Sequence, residues 1–377
     1  MPENSSRRQW LKQTSLAALG LGFSFRSMGS EDGLTKFIES ENKLINLGSN
    51  ENPYGISAKA RQAIMDMMGE TNRYQFNVAS LQSCKKQLAG YYKVNEDQVI
   101  ITPGSGDGLN SLARSFSKGN IVTADITFGV LPAMAKKIGT KVIEIPLTAD
   151  KVHDLPAMLA AINNETQLVY ICNPANPSST FIKPGVMKNF CIEAAKKTTI
   201  LIDEAYLDFI DPQENESMIG LIEKNPNILA IKTFSKIHAM AGLRIGFIVG
   251  HSTMINKLQP VYFQSSQIAV SNLSMAAAMA SLTDEEHKLM SKQKNEAARN
   301  YTIAELKKLG INPIASFTNF IFYPLKNYKG DFAQDMFDKH NIVLRSNTYA
   351  DGKWARVSIG TMDEMKQFCS TLKSNTG

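Results

Sequence analysis

Short, unbroken apolar runs alternate with segments of helical period over much of this chain. From about residue 95 the alternation is regular. QVIIT (98–102) reads as a buried strand and GLNSLARSF (108–116) as a helix. NIVTAD (120–125) is a strand, VLPAMAKKIG a helix, KVIEIPL (141–147) a strand and LPAMLAAI (155–162) a helix. The strand QLVYIC (167–172), the helix GVMKNFCIEAAKK (185–197) and the strands TILIDEA (199–205), NILAIKTF (227–234) and IGFIVG (245–250) complete the series. Strands that are apolar throughout have both faces covered, which points to a largely parallel sheet with helices on each side. The pattern predicts α/β architecture with a doubly wound sheet.

After about residue 265 the texture changes. A long helical stretch covers roughly 270–309, then IASFTNFIFYPL, IVLRSN and WARVSIG read as strands, and a last helix lies near 363–373. These predict a smaller α+β domain. The expected organisation is a leading segment 1–30, an arm 31–50 belonging to the smaller domain, a large domain 51–265 and the smaller domain 266–377.

The leading segment has its own pattern: a basic stretch, then about a dozen mildly apolar residues, too few to span a bilayer comfortably. Ser6-Arg7-Arg8-Gln9-Trp10-Leu11-Lys12 resembles a twin-arginine export signal, with Trp10 in place of the usual phenylalanine. The resemblance implies the twin-arginine export machinery as a partner and a periplasmic or exported location. The other reading is an amphipathic helix with a chance Arg-Arg pair in a cytoplasmic protein. No stable membrane span is expected in the mature form.

Composition changes this picture little. The chain has 377 residues, 43% hydrophobic and 20% charged, which suits a large soluble core. The net charge of +6 comes without a long basic run, so nucleic acid is not implied. Four scattered cysteines and five scattered histidines show no metal-ligand spacing.

In open α/β sheets ligands sit beyond the carboxyl ends of the strands. Those ends carry PGSGDG after 98–102, NPANPSS after 167–172, Asp203 and Tyr206 at the end of 199–205, and Ser235 and Lys236 after 227–234. Lone lysines are usually surface charges, but Lys236 lies among apolar strands and small residues, where a free ammonium costs desolvation. A neutral amine suits it better, and a Schiff base is one way to hold one. Thr233, Ser235 and Arg244 can grip a phosphate, and Gly104-Ser105-Gly106 supplies N–H groups at a helix start, although a plain tight turn explains that triplet equally well. Asp203 either caps the next helix or keeps a pyridine nitrogen protonated. One molecule carries an aldehyde, a phosphate and a pyridine together: pyridoxal 5′-phosphate.

The chain resembles the fold-type I, class I/II aminotransferases, and among them the histidinol-phosphate aminotransferase group. LGSNENPYG (47–55), NRY (72–74), NPANP (173–177), DEAYLDF (203–209), TFSK (233–236), AGLRIGF (241–247) and RVSIGT (356–361) occur in the family's order. The resemblance spans about residues 34 to 375. It implies that Lys236 is the catalytic lysine, bound to the cofactor aldehyde and shuttling the substrate proton. It implies that Asp203 pairs with the ring nitrogen, that Tyr206 and Asn176 bond the 3′-oxygen, and that Phe128 stacks on the ring. Ser105, Gly106, Thr233, Ser235 and Arg244 hold the phosphate. Tyr74 reaches the phosphate of the neighbouring subunit's cofactor, which implies a homodimer with shared active sites. Arg356 clamps the substrate's anionic group, Arg345 is a second candidate for that surface, and Asn52 lines the substrate mouth.

Four features depart from the family pattern: Phe128 where tyrosine is common, NPSS in place of Asn-Pro-Thr-Gly, GSGDG in the phosphate loop, and no proline after Tyr74. The implied reaction moves an amino group between an L-amino acid or amino phosphate and a 2-oxo acid such as 2-oxoglutarate. A decarboxylase of the phosphothreonine type keeps the same cofactor but breaks the Cα–C bond. A third alternative is an exported, non-catalytic binding protein on this scaffold. His238 reads as a structural group.

Overall fold

A computed structural model describes residues 44–74, 78–260, 268–326 and 328–375. The expected signal at 1–30 and the arm up to residue 43 lie outside the described residues. The chain from Ile45 onward forms one compact unit. It begins with β1 (Ile45–Asn46), α1 (Ala58–Met67), α2 (Val78–Tyr92), β2 (Val99–Thr102), α3 (Ser105–Ser115), β3 (Asn120–Ala124), α4 (Val130–Lys137) and β4 (Lys141–Ile145). It continues with α5 (Leu155–Ala161), β5 (Thr166–Cys172), α6 (Pro184–Ala195), β6 (Thr199–Asp203), β7 (Ile228–Thr233), β8 (Gly246–Gly250) and α7 (Ser252–Leu258). It closes with α8 (Asn272–Leu282), α9 (Glu285–Lys308), β9 (Phe320–Pro324), α10 (Phe332–His340), β10 (Ile342–Val343), β11 (Arg345–Tyr349), β12 (Gly352–Ser358) and α11 (Met362–Asn375).

Seven strands make the main sheet in the order β2-β8-β7-β6-β5-β3-β4. Five of them run parallel, as the continuous apolar runs require, and β2 and β7 both pair antiparallel with β8. The sheet is therefore mostly parallel with one reversed strand, a direction that hydrophobic pattern alone does not encode. Reversal has a functional consequence: the start of β8 lies at the same sheet edge as the carboxyl ends of its neighbours. Gly246 pairs with Thr102 on one side and Thr233 on the other.

Apolar side chains on the two faces of this sheet form two cores, one under α3 and α4, the other under α6 and α8. Local signals start the helices. Ser57 accepts the Ala60 N–H at 3.1 Å, Asp154 accepts that of Ala157 at 3.0 Å ahead of Pro156, and Ser271 accepts that of Ser274 at 3.0 Å.

A third core joins Ile45 and Leu47 to side chains of α9, α10 and α11 and of β9, β10 and β12. There β1 pairs with β10, and β11-β12-β9 form an antiparallel sheet. Several sequence expectations shift here. The helical stretch expected over 270–309 is two helices, broken at Thr283 and Asp284, with Asp284 tied to Lys59 at 3.2 Å. The first of them, α8, carries Met275, Ala277, Ala278 and Leu282 into the main sheet's core. The long apolar run 314–325 is strand only over Phe320–Pro324, and IVLRSN is split at Leu344. Helix α3 starts at Ser105 rather than 108, which puts Gly106 and Gly108 in its first turn.

Candidate active site

The carboxyl ends of β2, β5, β6 and β7 and the start of β8 meet at one edge of the main sheet. Lys236 follows β7 by three residues. Its Nζ lies 3.2 Å from the carbonyl oxygens of both Ser49 and Asn50, and 5.6 Å from the centre of the Tyr206 ring. Burial lowers its pKa to about 8; the Arg356 and Arg244 cations push the same way, while Glu51 and Asp203 oppose them. A half-buried amine of this kind has a far larger neutral, nucleophilic fraction near physiological pH than an ordinary lysine, and reaches half neutral at about pH 8. Trapping of an added aldehyde at Lys236 by borohydride in cofactor-free protein should therefore rise with pH through about 8 and then level off. An ordinary lysine keeps gaining until about 10.5. Peptide mapping across a pH series reads the difference.

Asp203 ends β6 and is buried. Oδ1 accepts the Ala205 N–H at 3.1 Å, and Oδ2 accepts the Tyr170 hydroxyl at 3.1 Å. Burial pushes its pKa up to about 6 and Glu204 adds to the rise, against the two hydrogen bonds. Such a carboxyl is stabilised by a buried cation, and a protonated pyridine nitrogen is one. Tyr170, which holds it, was not singled out from sequence. The only hint was a phenol in an otherwise aliphatic strand, and a buried tyrosine needs a hydrogen-bond acceptor.

The phosphate candidates converge as the sheet dictates. Thr233 Oγ1 accepts the Ser235 N–H at 3.1 Å and lies 3.0 Å from Ser235 Oγ. Arg244, in the left-handed region at φ +52, donates to the Ala241 carbonyl at 2.9 Å and passes directly over Gly104. A Cβ on Gly104 would collide with the Arg244 guanidinium, and its φ of +80 also favours glycine. A Cβ on Gly246 would sit 2.7 Å from the Ser105 backbone nitrogen and 2.8 Å from the Lys232 carbonyl. The two glycines let backbone N–H groups, an arginine and two hydroxyls share one small cradle at the start of α3, which is the donor set a phosphate takes.

Tyr206 is buried, and its hydroxyl accepts from Asn50 Nδ2 at 3.0 Å and Asn176 Nδ2 at 3.2 Å. Asn176 Oδ1 in turn accepts Arg356 Nη1 at 2.7 Å, and Arg356 Nη2 donates to the Gly48 carbonyl at 2.7 Å. Arg345 stands directly opposite Arg356 across β11–β12 and donates to the same carbonyl at 2.8 Å. Burial lowers the Arg356 pKa to about 10, with Arg345 adding to the shift and Tyr206 opposing it. Its Nε is buried without a hydrogen-bond partner. A buried guanidinium with a donor to spare beside a second arginine is a site for an anionic group.

Phe128 is half-buried against the core that contains Tyr170 and Cys172. Tyr74 is 81% exposed. Asn52 is committed elsewhere: Nδ2 donates to the Ile237 carbonyl at 2.9 Å and lies 3.2 Å from Ser291 Oγ, while Oδ1 accepts the Tyr54 N–H at 3.1 Å. It braces the segment after Lys236, and Asn50, two residues earlier, is the asparagine that touches Tyr206. His238 is buried with Nδ1 2.8 Å from Ser281 Oγ, and burial lowers its pKa to about 4. It is a neutral structural ring.

Lys236, Asp203 and the cradle thus present an amine, a carboxylate and an anion site along one crevice, the donor set that pyridoxal 5′-phosphate requires. Residues 42–372 match the family model described as aminotransferase class I and II. The chain is 32% identical to the histidinol-phosphate aminotransferase of Brevibacillus brevis over 333 residues, covering 88% of this chain and 90% of that protein. The histidinol-phosphate aminotransferase of Clostridium acetobutylicum superposes with a TM-score of 0.79 at 25% identity, over 88% of this chain and 99% of that one. The Sinorhizobium meliloti histidinol-phosphate aminotransferase, solved in complex with pyridoxal 5′-phosphate, has the same fold, with a TM-score of 0.83 at 22% identity over 94% and 98% of the two chains.

Proposed function

The chain belongs to the class I and II aminotransferases, and on that premise we propose that it moves an amino group between an L-amino acid or an amino phosphate of the histidinol-phosphate kind and a 2-oxo acid such as 2-oxoglutarate. The observation that carries the substrate assignment is the arginine pair, Arg356 and Arg345, side by side at the Gly48 carbonyl and within one hydrogen bond of Asn176. Two guanidiniums there suit the carboxylate or phosphate of a small anionic substrate.

The enzyme uses pyridoxal 5′-phosphate, which when bound supplies an aldehyde for a lysine amine and a ring that accepts the electron pair left when a bond at the substrate's Cα breaks. In this proposal Lys236 Nζ would hold the aldehyde and, once the substrate's amino group had displaced it, would as a free amine carry the proton between Cα and the former aldehyde carbon, two bonds away. Its depressed pKa serves both roles, because the amine exchanges protons readily near pH 8. Asp203 holds a proton on the ring nitrogen by its charge, and Tyr170 and the Ala205 N–H hold Asp203 in place. Ser105, Gly106, Thr233, Ser235 and Arg244 hold the phosphate, and Phe128 packs on the ring. Tyr206 and Asn176 bond the 3′-oxygen. Tyr74 serves the partner subunit of a homodimer. The twin-arginine pattern at Ser6–Lys12 supports export of the folded, loaded enzyme.

Loaded enzyme is expected to lose its visible absorption when histidinol phosphate or a suitable L-amino acid is added, and to regain it with 2-oxoglutarate. Carbon dioxide release without any need for an oxo acid would instead establish a decarboxylase.

A further inference from the structure

Asn50 spends every polar group it has at the site. Its carbonyl accepts from Lys236 Nζ at 3.2 Å and from Asn319 Nδ2 at 3.1 Å. Its backbone N–H donates to Ser358 Oγ at 2.8 Å, Ser358 Oγ lies 3.0 Å from Asn50 Oδ1, and Nδ2 donates to Tyr206 Oη at 3.0 Å. It is 1% exposed and held in the left-handed region at φ +53. A buried asparagine in that conformation persists only where its surroundings over-determine it.

These contacts have a direction. The Ser358 hydroxyl accepts the Asn50 N–H, so it has its own hydrogen to give, and Oδ1 takes it. That turns the amide's nitrogen toward Tyr206. On the other side, Arg356 donates into Asn176 Oδ1, which turns the Asn176 nitrogen toward Tyr206 as well. A phenol oxygen has one hydrogen and two acceptor positions. With both positions taken by N–H donors, the hydrogen must point away from the two asparagines.

We propose that Asn50 is a positioning residue: its amide, oriented by Ser358, keeps the Tyr206 hydroxyl hydrogen aimed at the cofactor's 3′-oxygen and thereby sets the pH at which the bound cofactor changes colour. This rests on Tyr206 being a partner of that oxygen. A hydrogen bond given to the 3′-oxygen draws off the electron density that would otherwise retain the proton of the lysine–cofactor linkage. Losing it makes that linkage hold its proton to higher pH. Consistent with this direction, the Asn50 bond and the Arg356 charge lower the Tyr206 pKa against the rise caused by burial.

The test is a spectrophotometric pH titration of the loaded enzyme. Asn50→Gly removes the amide yet tolerates the left-handed backbone and its bonds to Asn319 and Ser358. Its visible band is expected to titrate about half to one pH unit higher than the parent's, the worth of one hydrogen bond. Ser358→Ala leaves Asn50 in place but frees its amide to turn, and is expected to give a smaller shift in the same direction. In a Tyr206→Phe background neither change should add a further shift. If Tyr206→Phe moves the titration while Asn50→Gly and Ser358→Ala leave it unmoved, or if their shifts persist in full in that background, Asn50 does not act through Tyr206 and the inference is overturned. If Tyr206→Phe itself has no effect, the role of Tyr206 falls with it.

Discussion

The Lys236→Ala enzyme is expected to lose amino transfer by at least about four orders of magnitude in kcat/KM, because in the proposed mechanism one amine supplies both the covalent tether and the proton shuttle. The structure explains why no neighbour substitutes for it. Lys232, four residues earlier, is buried against Glu204 at 3.4 Å and Asp208 at 3.7 Å, and those acids raise its pKa against burial, so it stays charged and inert. The Arg356 guanidinium, with its pKa lowered only to about 10, keeps its proton near neutral pH. Borohydride treatment of the loaded parent enzyme should leave a pyridoxyl tag on the peptide containing residue 236, and the variant should carry none. A variant that keeps more than a hundredth of parental turnover, or a tag mapped to another lysine, would remove the basis of the site.

Asp203→Asn is expected to cost about three orders of magnitude. A carboxylate about 4 Å from a buried cation is worth about 4 kcal/mol at an effective dielectric of about 20, and each 1.4 kcal/mol is about tenfold in rate. Asparagine keeps the shape and a carbonyl for the Ala205 N–H, but it cannot neutralise a protonated ring nitrogen. The same residue sets a pH signature. Without a cation beside it, Asp203 is protonated below about pH 6. In the proposed site, pairing with the ring nitrogen would lower that pKa, so cofactor binding would release a proton in acid. Affinity for pyridoxal 5′-phosphate in the parent is thus expected to weaken as pH falls below about 6, and this trend should vanish in Asp203→Asn. Equilibrium dialysis between pH 5 and 8 measures it. Equal weakening in both proteins, or full turnover in the variant, would show that Asp203 does not face the ring nitrogen.

The sequence determined the parts that short-range chemistry encodes. Apolar runs such as QLVYIC and TILI, bounded by polar residues and alternating with helical segments, read as strands covered on both faces, and strand ends in such sheets collect ligand groups. Lys236, Asp203, Thr233, Ser235 and Gly104-Ser105-Gly106 were legible because each lies within a few residues of such an end. Tertiary structure alone decided what depends on pairing between distant segments. The reversal of β8 is a matter of strand partners, and it is what carries Arg244 over Gly104. The Tyr170–Asp203 bond needs β5 and β6 in register. Asn50 and Ser358 meet across 308 residues of chain, and which asparagine of NEN faces Tyr206 follows from a left-handed turn that no local pattern announces. Hydrophobic period reports which face of an element is buried; it carries no record of which other element buries it, and the positioning groups of this site depend on that second fact.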